Sequence, residues 1–321
     1  RKGPQPTTFV TTTDLSNIAK LAGYEIVRTR QAVFLPFRLF GIGNFVNRLF
    51  PAIPLLNYLS LVSLIILRPV KKSTSLPSLT IVIPARNEKG NIENALTRLP
   101  PFLGTSVEVI FVEGWSSDGT WDEIQKVVKS YRGPCRLSAF QQTGKGKVDA
   151  VRLGFEKASG DLLTILDADL TMPPELLERF YQAYIDGLAD FINGSRLVYP
   201  MEGKAMRPLN HLGNVFFAKV LSFLLGVRLG DSLCGTKLVS REDYARFRAW
   251  REDFGDFDPF GDYELLFPAS LLALGVIDIP IRYRDRTYGS TNINRFRHGL
   301  MLLKMCLIGF FRIRLGNISN R

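Results

Sequence analysis

The 321-residue chain is 46% hydrophobic and 22% charged, enough apolar side chain for one large core or two modest ones and too much for a disordered tail. Its 41 Lys+Arg against 30 Asp+Glu leave +11 at pH 7, which favours an anionic partner such as a phosphorylated small molecule or a membrane surface. The basic residues are dispersed, and there is no helix-turn-helix signature, RNP-type aromatic motif or zinc-ligand spacing, so nucleic acid is not an expected partner. Cys135, Cys234 and Cys306 are far apart and odd in number, which suits a reducing compartment better than a disulfide framework.

Residues 1–70 open with "RKGPQPTT", which has neither an initiator Met nor the apolar core of a signal peptide and reads as a piece of a longer chain. In the amphipathic "TDLSNIAKLAGYEIV", Asp14 is placed to cap a helix that stops near Gly23, before a short strand. A basic loop then leads to "YLSLVSLIILRPV". This apolar run falls short of the ~20 residues of a membrane span, and Pro51, Pro54 and Asn57 intrude. The helix, "AGYEIV", the basic proline-bearing loop and the final apolar strand resemble the C-terminal end of a class I S-adenosylmethionine-dependent methyltransferase. No glycine-rich cofactor loop precedes them, so the resemblance implies a remnant that does not itself transfer methyl groups. A membrane-associated hairpin is the alternative reading.

"KKSTSLPS", residues 71–78, is a linker by composition. From residue 79 strand and helix patterns alternate. "LTIVIPA" precedes a helix from about Gly90, and "VEVIFVEG" a helix from Gly119. "RLSAFQQ" precedes "VDAVRLGFEKA", "LLTILDAD" precedes "PPELLERFYQAYIDG", and "DFINGSR" follows. Such alternation predicts a mostly parallel sheet with helices on both faces, and ligands in such sheets sit at the carboxyl ends of the strands.

The polar motifs fall at those ends. After Pro84 and Ala85, the loop "RNE" places the Arg86 cation, the Asn87 amide and the Glu88 carboxylate before a helix N-terminus, which suits either a nucleotide or an ordinary cap. In "VEGWSSDGT", Glu113 is the ligand candidate, facing a base or ribose, while Ser116, Ser117 and Asp118 cap the next helix and Gly119 allows the turn. "GKGKVDA" lacks P-loop spacing, but its glycines let Lys145 and Lys147 approach an anion, and Asp149 pairs with Lys145 four residues earlier. Asp167 and Asp169 flank Ala168 at the end of a buried strand, about 6–7 Å apart along its rise. Alone they read equally as a helix cap. Beside the three preceding loops they read as hard oxygen ligands for Mg²⁺ or Mn²⁺, completed by diphosphate oxygens and water.

"TIVIPARNE", "VEVIFVEGWSSDGT", "GKGKVDAVRLGF" and "ILDADL", in this order, resemble the motifs of the inverting family-two glycosyltransferases, above all the polyprenyl- and dolichyl-phosphate sugar synthases. The resemblance covers about residues 79–300. It implies an α/β GT-A fold, Rossmann-like, preceded by the small α/β remnant, and metal-dependent transfer of a sugar from a GDP- or UDP-sugar to a polyprenyl phosphate. The donor would be held by Pro84, Ala85, Arg86, Asn87, Glu88, Glu113, Lys145, Asp167, Ala168 and Asp169. One departure leaves base identity open: members commonly carry two aspartates where this chain has Glu113-Gly114, and a glycine where it has Trp115.

In the second half the resemblance implies that Arg196 faces phosphates and that Asp231 and Lys237, in "LGDSLCGTKL", bracket the acceptor, with Cys234 a packed side chain. In "FDPFGDYELLFPA" it makes Asp262 the general base, or the positioning group if the acceptor is a phosphate. Glu264 is the alternate, and Asp256 and Asp258 are turn residues. Arg286 and Ser290, in "RTYGS", would stabilise the departing diphosphate. Residues 301–321 and the segment 214–229 read either as interfacial helices or as core. A peripheral position on the cytoplasmic face of a membrane would account for the net charge. The rival readings are transfer to a soluble glycan and a catalytically idle membrane or scaffold domain.

Overall fold

The computed structural model describes residues 10–199, 208–250, 261–289 and 295–315. The chain divides into two compact units, residues 1–71 and 72–321.

The first unit contains α1 (Thr12–Leu21), β1 (Tyr24–Ala32), α2 (Ile42–Leu49) and β2 (Val62–Pro69). The cap of α1 is Thr11 rather than Asp14: the Asp14 N–H donates to Thr11 Oγ1 at 3.2 Å, and Asp14 Oδ2 accepts the Thr11 N–H at 2.9 Å, a capping box. β1 and β2 pair antiparallel, with a register shift between Ile26 and Arg28. The apolar run weighed as a membrane hairpin is therefore largely strand. Among the described residues no helix is long and apolar enough to cross a membrane. The described apolar side chains buried here are Ala19, Val27 and Ala52, while Leu64, Ile66 and Leu67 of β2 are exposed. So small a unit closes little core of its own.

The second unit is built on seven strands: β3 (Leu79–Ala85), β4 (Val107–Glu113), β5 (Arg136–Gln141), β6 (Leu162–Ile165), β7 (Phe191–Ser195), β8 (Lys237–Ser240) and β9 (Val276–Pro280). Their spatial order is β5-β4-β3-β6-β8-β7-β9. β8 runs antiparallel to both of its neighbours, and the other adjacent pairs are parallel. β3, β4 and β6 are buried at nearly every position because both faces of the sheet are covered.

The side-chain period of two sorts these strands into two cores. Ile81, Ile83, Val109 and Phe111 pack against α3 (Ile92–Thr97), α4 (Thr120–Ser130) and α6 (Leu177–Ile185). Val82, Ile110 and Val112 face the opposite core, formed with α5 (Lys147–Lys157), α7 (Pro208–Leu225), α8 (Arg241–Phe247), α9 (Asp262–Leu271) and α10 (Arg295–Gly309). Gly154 lets α5 lie directly on β3, since a Cβ there would come within 3.0 Å of the Val82 side chain. The C-terminal edge that results carries the loops after β3, β4 and β6 side by side.

Candidate active site

The loops after β3 and β4 are laced into one piece. Asn87, in the left-handed region at φ 56°, donates its N–H to Ser116 Oγ at 2.9 Å and accepts the Ser117 N–H on Oδ1 at 2.9 Å. Asp118 Oδ1 accepts the Thr120 N–H at 3.0 Å and so opens α4, with Gly119 at φ 83° making the turn. Glu88 is buried, donates its N–H to Thr120 Oγ1 at 3.0 Å and accepts the Asn91 amide at 2.7 Å. Burial pushes its carboxyl up to about 7, against the pull of Arg286 and the Asn91 amide. Pro84 and Ala85 end the strand, with Ala85 opposite Glu113 in the register, and Arg86 is exposed.

The loop after β6 presents Asp167 and Asp169, with Ala168 buried between them. Asp169 Oδ1 accepts the Thr171 N–H at 3.1 Å, while Oδ2 receives Arg286 Nη2 at 2.5 Å. Arg286 also reaches Glu88 Oε1 through Nη1 at 3.1 Å, so one guanidinium joins the β3 and β6 loops. It is delivered by a strap, residues 281–289, that crosses the edge of the sheet. Ile281 N–H bonds Ser195 O at 2.9 Å, Arg284 N–H bonds Thr171 O at 2.9 Å, and Tyr288 Oη donates to Asp118 Oδ2 at 3.1 Å. At the end of the strap Gly289, φ 77°, lies against the Asn87 carbonyl.

Asp167 is paired with Lys147, the first residue of α5. Burial disfavours the Lys147 ammonium, but Asp167, Asp262 and Asp169 outweigh it and hold the group well above the usual lysine range. Gly235 makes room for this pair, because a Cβ there would fall within 3.0 Å of both Lys147 Nζ and Asp167 Oδ2. Asp262, the first residue of α9, is buried and paired with Lys237, which also bonds the Cys234 carbonyl. Burial raises the Asp262 carboxyl above its ordinary range despite Lys237 and Lys147. Of the two lysines in the glycine-flanked segment after β5, Lys145 is exposed and Lys147 meets the aspartates.

Several of the expected site residues have protein partners. Arg196 and Asp231 form a buried bidentate pair, Nε–Oδ2 2.6 Å and Nη2–Oδ1 2.9 Å, with the guanidinium over the Tyr283 ring. Burial works to raise Asp231, but Arg196 outweighs it and holds the carboxyl low. The two neutralise each other and hold the end of β7 to the loop before β8, so each of these two expected ligand contacts has a protein partner in this structure. Glu113 is 1% exposed. Its oxygens accept the Ser116 N–H at 2.5 Å and the Gln141 amide at 3.1 Å, so it organises its own turn. Asp149 accepts the Gly144 N–H at 2.9 Å, and Glu264 binds Arg152. Burial pushes the Cys234 thiol up to about 12, as for a packed side chain. Ser290, Asp256 and Asp258 lie outside the described residues.

Among the described residues no group of three His, Cys, Asp or Glu side chains could cage a metal. Two carboxylates beside two cations suit a hard divalent ion that takes its remaining ligands from phosphate oxygens and water.

A mostly parallel sheet with one reversed strand, and paired aspartates at its carboxyl edge, define a GT-A-type α/β fold. The sequence model of "Glycosyl transferase family 2" matches residues 80–247, and the chain belongs to that family. A dolichol-phosphate mannosyltransferase of Pyrococcus furiosus is 35% identical over 120 residues, 37% of this chain and 33% of that protein, so the match spans only a third of that relative's length. A dolichyl-phosphate hexose transferase of Haloferax volcanii is 28% identical over 233 residues, 71% of this chain and 94% of that protein. Among solved structures, the mannosyltransferase PcManGT of Pyrobaculum calidifontis, in complex with GDP-Man and Mn²⁺, superposes with a TM-score of 0.50 at 16% identity, covering 76% of this chain and 67% of that one. This likeness shows the shared fold.

Proposed function

We propose that the protein moves a sugar, with inversion, from a nucleotide-diphosphate donor to a polyprenyl phosphate at a membrane surface. The observation that carries this reading is the pair Asp167 and Asp169, each countered by a cation from another element, Lys147 and Arg286. Mg²⁺ or Mn²⁺ bound by the two aspartates would neutralise charge on the departing diphosphate. Lys147 and Arg286 would turn to the phosphates as the donor enters. The acceptor phosphate oxygen attacks C1 of the sugar from the face opposite the diphosphate, and the C1–oxygen bond to the diphosphate breaks as the new one forms. Such an oxygen is already nucleophilic and needs no base, so Asp262 serves to position Lys147 and Lys237.

The acceptor class is supported by the names of the two relatives and by the surface. Leu300, Leu303, Leu307 and Phe311 are exposed along α10 and the turn that follows it, and Leu212 and Phe216 along α7. Lys304, Arg312 and Lys219 lie among them, the pattern of helices that rest on an anionic interface. The cytoplasmic face of a membrane is the expected location. Residues 1–70 are read as a methyltransferase tail, which the antiparallel β1–β2 pair behind a helix supports.

The test is turnover of GDP- and UDP-sugars with Mn²⁺ or Mg²⁺, with and without a short polyprenyl phosphate, comparing the parent with Asp169→Ala. Lipid-linked sugar from the parent alone is expected. Nucleotide release without lipid product moves the acceptor to a soluble glycan, and no metal-dependent turnover of any donor leaves an idle domain.

A further inference from the structure

With Glu113 buried in its turn and Gly114 lacking a side chain, the loop after β4 offers a ligand one large exposed side chain, Trp115, at 61% exposure. Its indole is fixed: Nε1 donates to the Gln142 carbonyl at 2.9 Å, tying the end of β4 to the segment after β5. Its backbone lies at φ 57°, where a bulky residue is strained and glycine would be at ease. An exposed ring held rigidly at the carboxyl edge of a parallel sheet, against a backbone preference, is the pattern of a functional position. The geometry also suits the donor. β4, β3 and β6 are consecutive in the sheet, so the Trp115 loop and the Asp167–Asp169 loop stand two strand spacings apart, about 10 Å, the reach of a ribose and two phosphates.

We propose that Trp115 is the platform on which the nucleobase of the donor stacks, so that the base is held by its π-face and not by a carboxylate reading its edge. This rests on the nucleotide-donor reading above. A stacking platform accepts any base and holds the larger face of a purine more tightly than a pyrimidine.

The experiment titrates GDP and UDP, each with Mn²⁺, into the parent, Trp115→Gly and Trp115→Phe by calorimetry, with a thermal melt of each protein. Glycine fits the left-handed backbone, so the melting temperature of Trp115→Gly is expected to match or exceed the parent's. GDP affinity should fall about tenfold or more in Trp115→Gly and be largely kept in Trp115→Phe. The parent should prefer GDP to UDP. A Trp115→Gly protein that binds GDP within twofold of the parent overturns the platform while leaving the donor reading intact. A parent that binds neither nucleotide overturns the donor reading and the platform with it.

Discussion

Arg286 Nη2 lies 2.5 Å from Asp169 Oδ2 while Nη1 of the same guanidinium lies 3.1 Å from Glu88 Oε1, across 117 and 198 residues of sequence. The planar fork joins a carboxylate of one loop to a carboxylate of the other. Arg286→Lys keeps the charge but cannot bridge both carboxylates. Both Arg286→Lys and Arg286→Ala are expected to lower kcat about 10²- to 10³-fold, measured as transfer at saturating donor, with Arg286→Lys the better of the two.

Glu88 gives a pH signature. Its folded carboxyl titrates at about 7 because it is buried, against an unfolded value near 4.5. The folded state therefore binds the proton more tightly, and this group's penalty is absent below about pH 4.5, grows as pH rises from there through 7, and levels off above it. Melting temperatures followed from pH 5 to 8 should fall less steeply with pH in Glu88→Gln than in the parent. Parallel curves would show that Glu88 ionises freely in the fold.

The Arg196–Asp231 pair is an anchor. Arg196→Ala leaves a buried carboxylate uncompensated and should destabilise the second unit by about 3–5 kcal/mol. The double variant Arg196→Met/Asp231→Leu should recover part of that loss in urea unfolding. If Arg196 instead held phosphates, the single variant would raise the donor KM and leave the unfolding midpoint in place.

Gly235 reports on the crowding around the Lys147–Asp167 pair. Its backbone has no left-handed φ, so Gly235→Ala is tolerated by the chain, yet the added methyl would displace the ammonium and the carboxylate. Activity titrated against Mn²⁺ should show weaker metal activation, about tenfold, with thermal stability close to the parent's.

The donor-side loops were legible because each is short, polar and placed at the end of an apolar strand, so order along the chain already implies neighbourhood in the sheet. What escaped was pairing over distance. Nothing local points Arg196 to Asp231, 35 residues away, and it is the packing of β7 against the loop before β8 that brings them together. Lys237 and Asp262 were each visible, but not that they are buried together. Glu113 shows the same limit: nothing local in a carboxylate at the end of a strand announces the Ser116 and Gln141 donors it accepts from. β8 and β9 escaped too, because segments of four and five residues carry too little periodicity to stand out.

The strap from Ile281 to Gly289 makes the site a product of late synthesis. A ribosome that has released residues 80–247, the span that defines the family, has produced both aspartates, the laced donor loops and Lys147, but not the guanidinium that joins Glu88 to Asp169. Until Arg286 emerges the nascent edge carries carboxylates from two loops with no common cation between them. The link between Glu88 and Asp169 therefore waits on residues beyond 247, and a truncation after Phe247 would keep the span that matches the family without the guanidinium that joins those loops.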